Sequence, residues 1–463
     1  MSPCPAADQP VTEPIELARS ILERVEDDEA VEVCVGRSVR TEVRVHSGEV
    51  ESLTLAESHG IGVRVILQGP DGNREGLSHA GSFDADVVDD LLAEARDNAL
   101  FAEPDPHVAL AQPDGVPISG IDPWSDAVEK MSVDDKIAIA VAVEAAALAA
   151  DPRVRGARTS VYGDSRSESA IVSTAGIETT GRSTGASTST MVLIDDVDGG
   201  TRTGSAVDAS QSPLDLDPQM VADRAVQRGL QLLDARQPIT GRPSVVFEPR
   251  FAATVLGLVA AMLAGDRVVK GRTPFADRVG QQIAATLLTM FDDPTDAASL
   301  GASATDGEGL ACRRVPLVSN GVLDGFLHDC HTARVAGSAS TGSALRSVRG
   351  TPSPGFRALH VSPGRGDLAS FIADIDDGLL VAGLQGLHSG VNPVSGDLSV
   401  GVEGIRIRDG VLAEPIREAT LAGAIPRMLL DITRIGDDLE RLPGGSHVPS
   451  IVLDGLTLGG SGS

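Results

Sequence analysis

Lysine is almost missing from this 463-residue chain: Lys130, Lys136 and Lys270 are the only three among 38 basic residues, against 66 acids and a formal net charge of −28. A surface so poor in cations repels phosphate backbones, since duplex binding depends on neutralising them with Lys and Arg. Direct nucleic-acid binding is therefore not expected. Aromatic residues make up 2%, so a partner surface would have to rest on backbone edges, Leu and Val side chains and charge rather than on aromatic anchors. The four cysteines, Cys4, Cys34, Cys312 and Cys330, show no CxxC or other paired spacing. That excludes a disulfide framework and suits reduced thiols. Long apolar runs are missing too: the longest, from Ala252 to Gly265, is about 14 residues, whereas a membrane span needs roughly 20. The opening MSPCPAADQPVTEP has neither the basic nor the apolar region of a signal peptide. These gaps lead to the expectation of a soluble, cytoplasmic protein with no membrane association.

What is abundant is carboxylate, as 43 Asp and 23 Glu. Dense exposed carboxylates hold water and counterions where salt competes for both, which reads as a salt-adapted cytoplasm. An acidic protein of a high-GC organism that favours Arg codons is the other reading, because net charge reports on solubility and not on fold. With 41% hydrophobic residues the chain can bury real cores, and its length suits about two to four units.

After a Pro-rich stretch, expected to be a flexible tail over 1–12, Glu13 to Val25 places Ile15, Leu17, Ile21 and Leu22 at helical spacing. From Val31 the chain alternates apolar and polar residues, punctuated by Ser-Gly, His-Gly and Gly-Pro turns, the pattern of half-exposed antiparallel strands. Helices are predicted over Asp84–Ala99 and Ser132–Ala150, the second with a Ser N-cap and acids in its first turn. Short strands are predicted over Val154–Tyr162, Glu168–Thr174 and Thr190–Ile194, separated by Ser/Thr/Gly-rich turns, then a helix over Asp215–Leu233 and a linker over Asp234–Arg242. Helix followed by strands thus occurs twice, which suggests a duplication without residue-level repeat. Beyond Pro243 the texture turns β-rich, with Asn320-Gly321 and Asp409-Gly410 as hairpin turns and helices over Arg250–Ala264 and Thr420–Ile435. The expected fold class is α+β: an N-terminal helix-plus-antiparallel-sheet domain over 13–237 and a β-rich C-terminal domain with a few helices over 238–463.

The segments GDRVVKGRTPFADRVGQQI, TLLTMFDDP, DGEGLACRRVPLVSNGVLDGFLHDCHTAR, GVNPVSGDLSVGVEGIRIRDGVLAEPIREATLAG, IGDDLE and VPSIVLDGLTLGG occur in this order. Together they resemble the TldD/PmbA family, the modulator of DNA gyrase proteins also grouped as peptidases, and within it the PmbA or TldE branch. The first half is similar through its opening helix, VRVHSGEVESLTLAESHGIGVRVI and the Ala-rich helix before Ala150. The resemblance implies a metallopeptidase setting. In the TldD branch a helix bearing His-Glu-x-x-x-His holds zinc, whose bound water gains acidity. Counted back from Gly265-Asp266, the three motif positions fall at about Leu256, Gly257 and Ala261 in FAATVLGLVAAMLAG, where no side chain can ligate a metal. The expectation is no metal or other cofactor in this chain, with zinc only in a TldD-type partner, and action of the complex on unfolded or flexible peptides. A link to gyrase would be indirect, through the family's processing of a gyrase-targeting peptide. The alternative is a stand-alone peptide-binding or scaffold protein, as a homodimer, without hydrolysis.

Candidate binding residues follow from composition. Arg267, Lys270 and Arg272 put three bases within six residues of an acidic chain; they read either as a clamp for a peptide carboxylate or an acidic partner, or as internal ion pairs with Asp266, Asp277 or Asp292. Arg346 and Arg349 lie in a small-residue stretch, Gly337 to Gly355, that reads as a mobile loop over a peptide channel or as a solvated linker. Asn392 and Asp397 flank a turn whose reading is structural before it is ligand-facing. His328-Asp329-Cys330-His331, taken as the continuation of a strand, alternates faces and so does not converge on a metal. The other histidines, His360 and His447 among them, stand singly in the chain. Neither a nucleophile elbow nor a phosphate loop is expected in the Ser-, Thr- and Gly-rich runs. Residues Ala358 and Ala424 depart from an Asn usual in the family.

Overall fold

The computed structural model describes residues 13–26, 29–196 and 199–462; the expected tail over 1–12 lies outside them. The first half builds one antiparallel sheet. Its strands are β1 (Ala30–His46), β2 (Glu49–Leu67), β3 (Arg74–Ala80), β4 (Val154–Ser173), β5 (Glu178–Asp195) and β6 (Thr201–Ser210), in the order β3-β2-β1-β4-β5-β6. Helices α1 (Pro14–Leu22), α2 (Ala85–Phe101), α3 (Ala127–Lys130), α4 (Val133–Ala150) and α5 (Pro218–Leu230) accompany it. The suspected duplication is visible here as architecture: helix, three-strand meander, helix occurs twice, and the two meanders join through β1 and β4. Matched glycines show the same packing in each half. A Cβ on Gly76 would lie 1.9 Å from the Ala95 carbonyl oxygen of α2, and one on Gly204 would lie 2.0 Å from that of Ala225 in α5. Only glycine lets each helix lie so close on its outer strand.

Helix α4 starts as its sequence dictates, with the Ser132 hydroxyl accepting from the Asp135 amide and acids in the first turn. The strands differ from expectation. Val154 to Ser173 is one 20-residue strand, and the Thr/Ser/Gly run GRSTGASTST lies inside β5 rather than in turns. Alternation decides this: Thr184, Thr188 and Thr190 are buried, the Ser160 and Thr190 hydroxyls share a 2.8 Å hydrogen bond, and Thr188 donates to the Val161 carbonyl. Threonine suits such a pleated, half-buried surface when its hydroxyl is satisfied. Gly181-Arg182-Ser183-Thr184-Gly185, a GxSxG match, is thereby mid-strand and not the strand-to-helix elbow a nucleophile needs.

Strands of the second half form an eight-stranded sheet, in the order 432–435, 451–453, 244–247, 377–385, 397–408, 411–424, 457–461 and 239–241, and a six-stranded sheet in the order 322–323, 315–319, 290–292, 359–361, 447–448 and 440–441. Helix α6 (Pro249–Met262) shares one apolar core with both: Val255, Leu256 and Met262 pack with Val245 and Phe247 of one sheet and with Met290 and Leu317 of the other. The hairpin turns stand as read, with Asn320 and Asp409 at φ 48° and 47°, each followed by a glycine at positive φ. Two expectations fail. Residues Ile239–Gly241 of the supposed linker form an edge strand, and Thr420–Ile435 is no helix: strand runs to Ala424, Pro426 opens a short helix over Ile425–Leu430, and strand resumes at Ile432. The apolar spacing there suits a strand buried on one side as well as a helix.

Candidate functional site

The apolar helix comes first, because zinc in a TldD-like chain would need donors on it. Leu256 is completely buried; Gly257 and Ala261 are half-buried, and a Cβ on Gly257 would touch only the Phe356 ring, at 3.7 Å. None of the three side chains carries a donor atom, so the residues present do not fit a zinc ion.

Directly after α6, α7 (Gly265–Val269) carries the basic cluster. Lys270 and Arg272 are exposed, and among the described residues neither they nor Arg267 make an ion pair. The internal pairs with Asp266, Asp277 and Asp292 therefore do not form. Arg346 is the opposite case. Its guanidinium is buried against the Glu32 carboxylate of β1, which also faces Arg64 at 3.4 Å, while Arg64 pairs with Glu75. Next to it the chain is packed against the first half: Val348 lies on β1 and β2, and a Cβ on Gly62 would lie 2.2 Å from the Val348 carbonyl oxygen. Arg349, next to it, is exposed and unpaired among the described residues. Asn392 and Asp397 serve their own turn, the Asn392 side-chain oxygen accepting from the Val394 amide at 2.9 Å and the Asp397 carboxylate from the Ser395 hydroxyl at 2.7 Å.

The segment 328–331 is also not the strand extension that was expected. Asp329 caps α8 (Cys330–Ala336), accepting from the Thr332 amide and hydroxyl at 2.8 and 2.6 Å. His328 Nδ1 lies 3.1 Å from that hydroxyl, whereas His331 Nε2 lies 2.9 Å from Asp105 in the first half. The two imidazoles diverge, so no metal site forms from them. Burial lowers the His328 pKa.

A cavity of about 1500 Å³ lies over the exposed end of the first sheet. Its floor includes Arg37, Thr41, Leu53, Leu55 and Glu168, its rim Trp124, Lys136 and Arg182, and Ser303 to Thr305 of the second half close one side. Leu55 is 72% exposed and Leu53 47%, which gives the floor an apolar strip. The basic groups are all paired: Lys136 with Asp164 at 2.6 Å, Arg37 with Glu168, Arg166 with Glu129, and Arg182 with Asp122. Tyr162 donates to Asp164 at 2.6 Å, and burial followed by that bond pushes its phenol pKa up. Arg182 lies over the Trp124 ring, 5.2 Å from its centroid. None of Lys270, Arg272, Arg346, Arg349, Asn392 or Asp397 lines this cavity. A scarcity signal could have pointed here, because the chain's only Trp and one of its three lysines line this cleft and its only Tyr donates to Asp164, which lines it too.

Three family models match in succession: PmbA/TldA metallopeptidase domain 1 over residues 31–99, the central domain over 126–233 and the C-terminal domain over 240–460. The chain belongs to the PmbA/TldD family. It is 25% identical over 413 residues to Metalloprotease PmbA of Escherichia coli O157:H7, covering 89% of this chain and 88% of that one. A Metalloprotease TldD homolog of Buchnera aphidicola is 28% identical over 253 residues, or 51% and 52% of the two chains. Among solved structures, TldE from Thermococcus kodakarensis superposes with a TM-score of 0.85 at 25% identity, over 96% of this chain and 99% of that one. A Bacteroides thetaiotaomicron protein named for modulation of DNA gyrase matches in fold, with a TM-score of 0.87 at 24% identity over 96% and 98%. Among the described residues, no helix is long and apolar enough to cross a membrane.

Proposed function

We propose that this chain is the PmbA/TldE-type subunit of a cytoplasmic TldD/TldE-like metallopeptidase complex acting on unfolded or flexible peptides, and that the peptidase zinc resides on a TldD-type partner. The observation that carries the reading is the absence of any donor side chain at Leu256, Gly257 and Ala261 inside a chain that matches the family's domains. Likeness to a solved TldE supports it. The cleft over the first sheet suits the substrate class: its basic side chains are held in ion pairs, and Leu53, Leu55 and Trp124 offer apolar surface to an extended peptide. In this reading the chain's residues bind and orient peptide, and the hydrolytic water belongs to the partner.

Exposed, unpaired Lys270 and Arg272 are the groups we assign to an acidic partner surface or a peptide carboxylate. Gel filtration of the full chain with a zinc-bearing TldD-type protein tests the assembly. A co-eluting complex that weakens with Lys270→Ala plus Arg272→Ala is expected. Separate elution at micromolar concentrations, with this chain running as a dimer, would favour the stand-alone peptide-binding homodimer instead.

A further inference from the structure

We propose that Asp296, His360 and His447 form a binding site for one borderline divalent cation of the zinc type, apart from α6. The donors converge from three segments distant in sequence. His360 and His447 stand directly opposite each other where the strands Leu359–Val361 and His447–Val448 pair in parallel, and their rings lie 4.6 Å apart between centroids. Asp296 comes from the loop beyond the Met290–Asp292 strand. Its Oδ1 accepts from the Ala298 amide at 2.9 Å, which fixes the carboxylate and turns Oδ2 to the imidazoles. Oδ2 lies 3.3 Å from His447 Nδ1 and 3.9 Å from His360 Nε2. One donor atom from each residue falls within 4.8 Å of the others. Tetrahedral donors with bonds of roughly 2.0–2.1 Å sit about 3.3 Å apart, so small side-chain rotations close the set.

A second observation points to a ligand. His360 is 9% exposed, and its Nε2, the atom aimed at Asp296, has no hydrogen-bond partner among the described residues; His447 Nε2 is likewise buried and unpartnered. Buried polar atoms in folded proteins are nearly always satisfied, and a cation on His360 Nε2 satisfies that one. The imidazole plane is held from behind, since Phe291 stacks on His360 at 5.2 Å and Arg314 covers the Phe291 ring. Desolvation lowers the pKa of both histidines, against the opposing pull of Asp296, with Asp293, Arg314 and Arg441 the other charges nearby. Two nitrogens and one carboxylate oxygen suit zinc, cobalt or a similar ion rather than calcium or magnesium.

The site has an open side. A cavity of about 230 Å³ between the two halves reaches His447 and Ala297 and is bounded across from them by Ser210 and Gln211. Gln211 donates to the Ala297 and Ser299 carbonyls at 2.9 and 3.2 Å, so the loop that carries Asp296 is anchored to the first sheet. A bound ion would keep a fourth position for water or a ligand from this cavity. Such a site would also replace the expectation that the chain holds no metal anywhere.

The test is metal uptake by the tag-free, metal-stripped full-length chain, with Zn²⁺ followed by calorimetry and Co²⁺ by its visible absorption. One equivalent per chain is expected, weakened at least tenfold in Asp296→Asn and in His447→Ala and unchanged in His331→Ala. Asp296 is part-exposed, so Asp296→Asn keeps the test decisive should His447→Ala fail to fold. Absence of uptake by the unmutated chain, or uptake that Asp296→Asn leaves unaltered, overturns the proposal. Neither readout depends on peptide cleavage, so the result stands apart from the assignment as a partner subunit.

Discussion

Arg346, far along the chain, reaches Glu32 at the start of the first sheet, and their side chains are only 1% and 0% exposed. With Arg64 and Glu75 they form an alternating row of charges between the two halves. Removing one member leaves an unbalanced charge in a place that cannot rehydrate. Arg346→Ala should therefore cost about 3–5 kcal/mol in urea unfolding. Replacing both partners, Glu32→Gln with Arg346→Met, should cost far less than the single change. A loss below about 1 kcal/mol for Arg346→Ala would show that the pair does not hold the halves together.

A pH dependence follows from Glu308. Burial, reinforced by neighbouring Asp306, pushes its carboxyl up to about 7, despite a 2.8 Å bond from the Cys330 amide. The native state keeps this proton longer than the unfolded chain, whose value is about 4.5, so stability falls as pH rises from about 4.5 to 7. Glu308 should contribute roughly 3 kcal/mol to that decline. Glu308→Gln, which retains an acceptor for the Cys330 amide, should flatten the slope of melting temperature against pH across this window. An unchanged slope would mean that Glu308 is not the group responsible.

The formal charge of −28 leads to a further expectation. Crowded carboxylates repel one another across the folded surface, and salt screens that repulsion over a Debye length of roughly 3 Å at 1 M. Melting followed by circular dichroism should shift upward between low and molar potassium chloride. Equal melting temperatures would remove the reading of salt adaptation.

How far the sequence reached depends on the distance over which each feature is encoded. Helices with local signals were legible, such as α4 with its Ser132 cap, and so were the Asn320 and Asp409 turns. The sheet was legible in kind but not in extent, because hydroxyl-rich strands such as β5 look like turns until their cross-strand partners are known. At the site level, the absence of donors at Leu256, Gly257 and Ala261 could be read directly. Pairings across more than a hundred residues could not: Arg346 looked like a loop cation until Glu32 was beside it, and His360 looked solitary until strand register put His447 opposite. The Asp329 cap was missed for a related reason, since a strand was extrapolated through a residue that begins a helix.

We propose that this chain works as the partner of a zinc-bearing peptidase subunit. Cleavage of an unfolded peptide, measured with this chain, with a TldD-type chain and with both, tests it most directly. No cleavage by this chain alone, enhanced cleavage by the mixture, and loss of that activity when the partner's His-Glu-x-x-x-His is mutated are expected. Cleavage by this chain alone, or a mixture no more active than the TldD-type chain by itself, would contradict it.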